Sequence, residues 1–401
     1  MKTLVWITHS FREDSRLTDQ LSGPCTFVYY SPYYFAGDRE KDILKRCSQE
    51  NLDAFYQTLH EFGNSLKAKG HNFYVFKNSA PIEHINQLCS KYGFDRLVID
   101  QPLFAMWHTI DLLQLSVPYQ FVDSDLIDDQ CFKMTAKSRW MTHVKQIDTY
   151  CNYRWNDDIQ TFDIDEPIST YPKYKSNWLV NPSTVQIRAK AIAPRYGLTR
   201  DNHKGQTRLS TAFQNGVIDP HNVFFSIAKE FQKDGADFTL NEGNHAAMLR
   251  QFAFREITII QARRANLTME NTPMEWAQQF ITATSLQNLK DRINPDSRLT
   301  LEQIKTATTG DELIDKILSE SFQVGVMPNR ARMFFAGWMF YNAPSGQQAL
   351  EWLIDVFDLL LIDGQCPTNY TQCTSAMNMQ YGRVMLLNRD RVKQLLSYDT
   401  I

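Results

Sequence analysis

Short apolar runs separated by polar stretches open the chain. TLVWIT (Thr3 to Thr8), TFVYYS (Thr26 to Ser31), NFYVF (Asn72 to Phe76), RLVID (Arg96 to Asp100) and YQFVD (Tyr119 to Asp123) each have the length and composition of a buried strand. Between them the apolar period changes. Leu52, Phe55, Leu59, Phe62 and Leu66 recur at spacings of three and four, which places them on one face of a helix. Gly70 follows where a left-handed C-cap residue belongs. Ile82, Ile85, Leu88 and Cys89 mark a second helix, and a third is expected near Met106 to Leu115. Repeated strand–helix units predict a parallel sheet with helices on both faces.

The pattern breaks up between residues 128 and 182. Trp140, Tyr150, Tyr153, Trp155, Tyr171, Tyr174 and Trp178 lie there among charged residues and Pro167, Pro172 and Pro182. This reads as a long surface connection, part of it packed by its own aromatics. Beyond it, segments such as HNVFFSIAKEFQK, NHAAMLRQFAFREITIIQARR and GQQALEWLIDVFDLLLI carry helical periodicity to the end of the chain. The expected organisation is an α/β domain over 1–127, a connecting segment over 128–182 and an all-helical domain over 183–401. No internal repeat or low-complexity segment interrupts it.

Length agrees with that division, since 401 residues exceed the roughly 250–300 at which single cores stop growing. The longest apolar runs, MFFAGWMF and LLLI, are far shorter than the ~18 residues of a membrane span. The start MKTLVWITHSFRED turns charged too early for a signal peptide. Seven scattered cysteines read as thiols in a reducing cytoplasm, and the C-x6-C pair Cys366/Cys373 supplies half a four-ligand metal site at best. A net charge of −3 does not advertise nucleic-acid binding, although twelve Lys/Arg against eight Asp/Glu between Gln186 and Glu270 permit a local basic face. The 12% aromatic content fits either a large core or a stacking pocket for a planar ligand.

Three clusters could carry chemistry. In GQTRLSTAFQNGVIDP, Thr207, Arg208 and Ser210 offer hydrogen-bond donors in a loop that suits an anion, ahead of a helix started by Asp219 and Pro220. Arg255, inside the apolar FAFREI, is either half of a structural ion pair with Glu256 or an anion clamp. In NRARM, Arg330 and Arg332 are two apart and point to different helix faces, so one should turn inward and seek a carboxylate among Asp355, Asp358 and Asp363. No G-x-G-x-x-G, P-loop, catalytic Ser-His-Asp or Cys-His set, or metal spacing occurs.

These clusters and their order resemble the photolyase/cryptochrome family of FAD proteins. VWITHSFREDSRLTDQ is similar to the family's WFR-DLRL-DN opening, GQTRLSTAFQNG to its G-TSRLSPYL-FG, FAFREI to its LIWREF and MPNRARM to its MHNRLRM. The resemblance implies a Rossmann-like α/β domain of photolyase type followed by an all-α FAD-binding domain. It assigns Thr207, Arg208, Leu209, Ser210 and Arg255 to the FAD phosphate side, and Tyr196 to FAD binding. It assigns Asn329, Arg332, Asp363 and Asn369 to the flavin ring, with Arg332 paired to an aspartate. Phe254, Gln251 and Met333 would meet a flipped base, and a further antenna chromophore of unspecified type would sit in the N-terminal domain. The implied activity is light-driven repair of pyrimidine dimers in damaged DNA, away from any membrane. The departures leave two alternatives open: a light-independent flavoenzyme on the same fold, and a cryptochrome-type blue-light receptor. Phe254 and Gln251 replace the family's lesion-contacting tryptophan and glutamate. Ile304 stands where an electron-relay tryptophan usually sits, and NYTQCTS replaces NNGGWQW. Trp338, Tyr341 and Trp352 are either substitute relays or core.

Overall fold

The computed structural model describes residues 2–12, 16–30, 49–76, 80–101, 112–123, 182–201, 207, 209–214, 216–233, 244–265, 267, 272–361, 368–369, 390 and 392–393. The expected connecting segment, apart from residue 182, lies outside them. The five apolar runs form β1 (Thr3–Ile7), β2 (Thr26–Tyr30), β3 (Asn72–Phe76), β4 (Arg96–Asp100) and β5 (Tyr119–Val122). All pairs are parallel and the order is β3-β2-β1-β4-β5.

Strand alternation divides the core in two. Leu4 and Trp6 share one sheet face with Val28, Tyr30, Leu97 and Ile99, and this face is covered by Ile82, Ile85 and Cys89 of α2 (Pro81–Tyr92). Val5 and Ile7 point the other way with Phe27, Tyr29 and Val98, against Leu59, Phe62 and Leu66 of α1 (Gln49–Ala68). A central strand buried on both faces must be apolar at every position, which is why these segments read as unbroken runs. Gly70 adopts the expected positive φ, +82°. Of the helix expected near Met106 to Leu115, only a 3-10 turn at Leu112–Gln114 lies within the described residues.

The remainder is helical. It comprises α3 (Pro182–Ile192), α4 (Tyr196–Thr199), α5 (Leu209–Gln214), α6 (Pro220–Lys233), α7 (Asn244–Arg264), α8 (Pro273–Phe280), α9 (Ala283–Asp291), α10 (Leu301–Lys305), α11 (Glu312–Val324), α12 (Asn329–Asn342) and α13 (Gly346–Leu360). Several starts follow from capping chemistry: Asp219 accepts from the His221 N–H at 2.8 Å, and Thr272 and Thr300 complete capping boxes with Glu275 and Gln303. Helix α7 is buried on nearly every side, so its apolar residues encircle it. No helix among the described residues is long and apolar enough to cross a membrane.

Sheet and helices meet at the C-terminal end of β1. Asp100, fully buried at the end of β4, accepts hydrogen bonds at Oδ2 from the backbone N–H groups of Thr8 (3.1 Å), His9 (2.7 Å) and Ser10 (2.7 Å). The Ser10 hydroxyl donates to Oδ1 at 3.0 Å. The loop held in this way reaches the helices through His9 Nε2, 2.7 Å from the Phe213 carbonyl, and Arg12 Nη1, 3.0 Å from the Gly216 carbonyl. An ion pair between Asp123 and Arg263 of α7 makes a second tie. Gly216 is indispensable at the first tie: its φ is +65°, and a Cβ would stand 1.7 Å from the His9 carbonyl oxygen.

Gly93 has almost the same φ, +67°, with nothing near its missing Cβ. Gly93→Ala should therefore cost about 1–2 kcal/mol, the backbone strain alone. Gly216→Ala should cost clearly more, because the backbone of one half must also move away from the other. Urea denaturation of the two variants measures the difference, and equal losses would refute the close-packing account.

Candidate functional site

Part of the stretch expected as an anion-binding loop is helical. Leu209–Gln214 forms α5, and Thr207 Oγ1 just ahead of it accepts from the Leu209 N–H at 3.3 Å. A helix has faces where a loop has none, so the neighbouring side chains separate. Thr207 (8% exposed) and Thr211 (1% exposed), four residues apart, are both buried, whereas Ser210 is exposed. Leu209 is packed into the helical core and Arg208 lies outside the described residues. Thr211 was not among the expected site residues, because a stretch read as a loop has no face on which to place it.

Arg255 projects from α7 toward α5. Its guanidinium lies over the Phe213 ring, 4.9 Å from the centroid, and 3.6 Å from Glu256 Oε1. The structural ion pair is thus present, and it borders α5, the helix that carries Thr211. Phe254 and Gln251 on α7 are half-buried, as is Met333 on α12; Phe254 and Met333 pack against the helical core.

On α12 the two arginines diverge as helix geometry requires. Arg330 pairs with Asp201, Nε to Oδ2 2.6 Å. Arg332 is buried and donates from Nη1 to Asn369 Oδ1 and from Nη2 to the Met327 carbonyl, 3.3 Å. It also lies over the Phe357 ring, 5.0 Å from the centroid. Two expected site residues, Arg332 and Asn369, are therefore brought together, with an amide oxygen and a ring face on the guanidinium. Of the expected carboxylates, Asp358 is buried on α13, Asp355 is half-buried there, and Asp363 lies outside the described residues.

Tyr196 on α4 has a desolvated phenol, pushed up to about 12; burial is the main cause, Asp201 adds to it and Arg200 opposes it. It stays protonated and able to donate throughout the neutral range. Among the described residues, the buried Thr211 hydroxyl and the amide oxygen of Asn329 have no hydrogen-bond partner. Such groups are uncommon in a folded protein and mark places where a bound molecule can complete the network. No cluster of His, Cys, Asp and Glu suited to a metal occurs among the described residues. Ile304 is fully buried on α10 as core. Trp338 donates to Asp311 Oδ2 at 3.1 Å and stacks near Phe335, and Tyr341 and Trp352 pack against the same core.

A five-stranded parallel sheet joined to a helical body matches the photolyase-like fold. The crystal structure of a bacterial class III photolyase from Agrobacterium tumefaciens shares it, with a TM-score of 0.63 and 14% sequence identity over 98% of this chain and 86% of that one. No family model matches the chain, and no curated protein matches it by sequence.

Thr211→Val replaces a buried, unpartnered hydroxyl by a methyl group of equal size. In protein free of added ligand it should raise stability by about 1 kcal/mol, read from the urea midpoint. A loss would mean that the hydroxyl is already satisfied. Tyr196 provides a pH test. Its phenol ionises near 10 when unfolded and near 12 when folded, so the stability it contributes is complete below pH 10 and disappears as pH rises toward 12. Tyr196→Phe should flatten the fall in stability across that window.

Proposed function

We propose that this chain is an FAD-binding, photolyase-type flavoprotein that uses light to split pyrimidine dimers in DNA. The observation that supports this most is the buried hydroxyl of Thr211, without a partner, on the helix whose Phe213 ring lies under the Arg255 guanidinium. The hydroxyls of Thr207 and Thr211 and the Arg255 guanidinium are donors of the kind suited to phosphate oxygens. Asn329 and Arg332 supply an amide and a cation of the kind that meets the polar edge of a flavin ring. The residues present therefore fit the group. Thr207, Thr211, Arg255 and the Leu209 segment would hold its phosphates, with Arg208 contributing by resemblance; Asn329 and Arg332 would hold its ring, Asn369 acting through Arg332, with Asp363 assigned there by resemblance alone. FAD, when bound, supplies the photoexcited electron.

The chain's own part is to bind, orient and exclude water. A flipped base would be stacked by Phe254, hydrogen-bonded by Gln251 and floored by Met333. Tyr196, kept protonated, would donate to the cofactor's phosphate side. A second reading, a flavoenzyme that needs no light, is favoured by Ile304, whose full burial in the apolar core puts an unoxidisable side chain at the expected relay position.

Purified protein should show flavin absorption that bleaches under blue light with a thiol donor, and should then restore a thymine dimer in an oligonucleotide. Flavin bands indifferent to light would transfer the assignment to the light-independent enzyme. Protein that takes up no FAD would overturn both readings. Thr211→Val and Arg255→Met should each weaken FAD binding by roughly tenfold, the value of one charge-assisted or well-placed hydrogen bond.

A further inference from the structure

In open parallel sheets, ligands bind outside the carboxyl ends of the strands, at the point where strand order reverses. In this sheet that point lies between β1 and β4, because β2 and β3 build to one side of β1 and β4 and β5 to the other. Successive backbone N–H groups converging there form an anion-binding concavity. Here the three N–H groups of Thr8, His9 and Ser10 converge on the carboxylate of the protein's own Asp100. The anion is internal, and the loop it shapes is turned outward to the helices.

That loop grips both ends of one short segment. His9 Nε2 meets the Phe213 carbonyl at 2.7 Å; a carbonyl can only accept, so Nε2 carries the proton. Arg12 is buried (4% exposed) and donates to the Gly216 carbonyl at 3.0 Å, three residues further on. Phe213 belongs to α5, the helix that also carries Thr211, and its ring is the platform under the Arg255 guanidinium. Gly216 removes the remaining freedom, since the loop backbone fills the space where a Cβ would be.

We propose that Asp100, His9 and Arg12 form a positioning clamp: the sheet half sets the place of α5, and through it the geometry of Thr207, Thr211 and Arg255 in the ligand site. None of the three clamp residues is assigned to touch the ligand. Asp100 acts on the loop, the loop on two carbonyls, and α5 on the site. The coupling is reciprocal, so a ligand bound at α5 and α7 also protects the β1 loop. For FAD affinity this rests on the flavin reading, but the mechanical link between loop and helix does not.

The test compares wild type with Asp100→Asn, Arg12→Met and Arg12→Lys. Asp100→Asn keeps the shape and weakens the acceptor, acting from the far side of the loop. The first measurement is amide hydrogen exchange at Leu209 to Gly216 in protein without added FAD. Exchange there should rise at least about tenfold in Asp100→Asn and Arg12→Met, while α11 and α13 exchange as before. Arg12→Lys, which can still donate, should restore most of the protection. The second measurement is FAD affinity well below the unfolding temperature, expected to fall roughly tenfold, within the usual range of coupling between sites. Faster exchange in a protein that binds no FAD would uphold the clamp and sink the flavin reading. FAD binding unchanged in variants whose α5 exchange is also unchanged would overturn the clamp. A uniform rise in exchange across all helices would reduce these residues to a merely structural role and overturn it too.

Discussion

A single carboxylate organises the junction on which the molecule depends. Asp100 is fully buried, and burying an ionised group is costly unless it is hydrogen-bonded on all sides. Three main-chain N–H groups and a hydroxyl meet that requirement, and in doing so they fix the path of the chain after β1. A loop held by its backbone cannot be reshaped by side-chain rotation. It therefore offers the helical half a rigid surface, against which His9, Arg12 and Gly216 complete the fit.

The helical half treats its buried cations in another way. Arg255 and Arg332 each lie over an aromatic ring, Phe213 and Phe357, and Arg332 donates to an amide and a carbonyl oxygen. Ring faces and neutral oxygens compensate part of the desolvation of a guanidinium without cancelling its charge. Arg255 also has the Glu256 carboxylate at 3.6 Å, so ring and carboxylate share it. Arg330 pairs with Asp201 at 2.6 Å. Two arginines two residues apart thus meet different surroundings, because a helix turns them to different faces.

The same helices carry the departures from the photolyase pattern. The position expected to hold a relay tryptophan is filled by a fully buried isoleucine, and Trp338 is engaged with the Asp311 carboxylate. The architecture of the class is present, while these side chains depart from its sequence pattern. This combination is what makes the choice between light-driven repair and light-independent chemistry a question about side chains rather than about fold.

The strands, the α1 and α2 faces, the left-handed Gly70 and the Asp219-Pro220 helix start were all legible in the sequence. Each depends on local periodicity or on the conformational limits of one residue, and those survive in one dimension. That one of Arg330 and Arg332 turns inward was legible for the same reason, since two residues apart on a helix means different faces, while the choice of Arg332 came from the resemblance. What covers Arg332 was not: Asn369 comes from a segment 37 residues away, and no pattern in either stretch encodes their meeting. Thr211 escaped notice because the stretch reads as a loop until tertiary packing makes it a helix with a buried side. Asp100 read simply as the last residue of a strand. Its role exists only once parallel pairing sets β4 beside β1 and presents 92 residues of separation as a hydrogen bond. Periodicity determined the elements; the enclosure of charge and hydrogen-bonding groups, which requires partners distant in the chain, was decided by the tertiary structure.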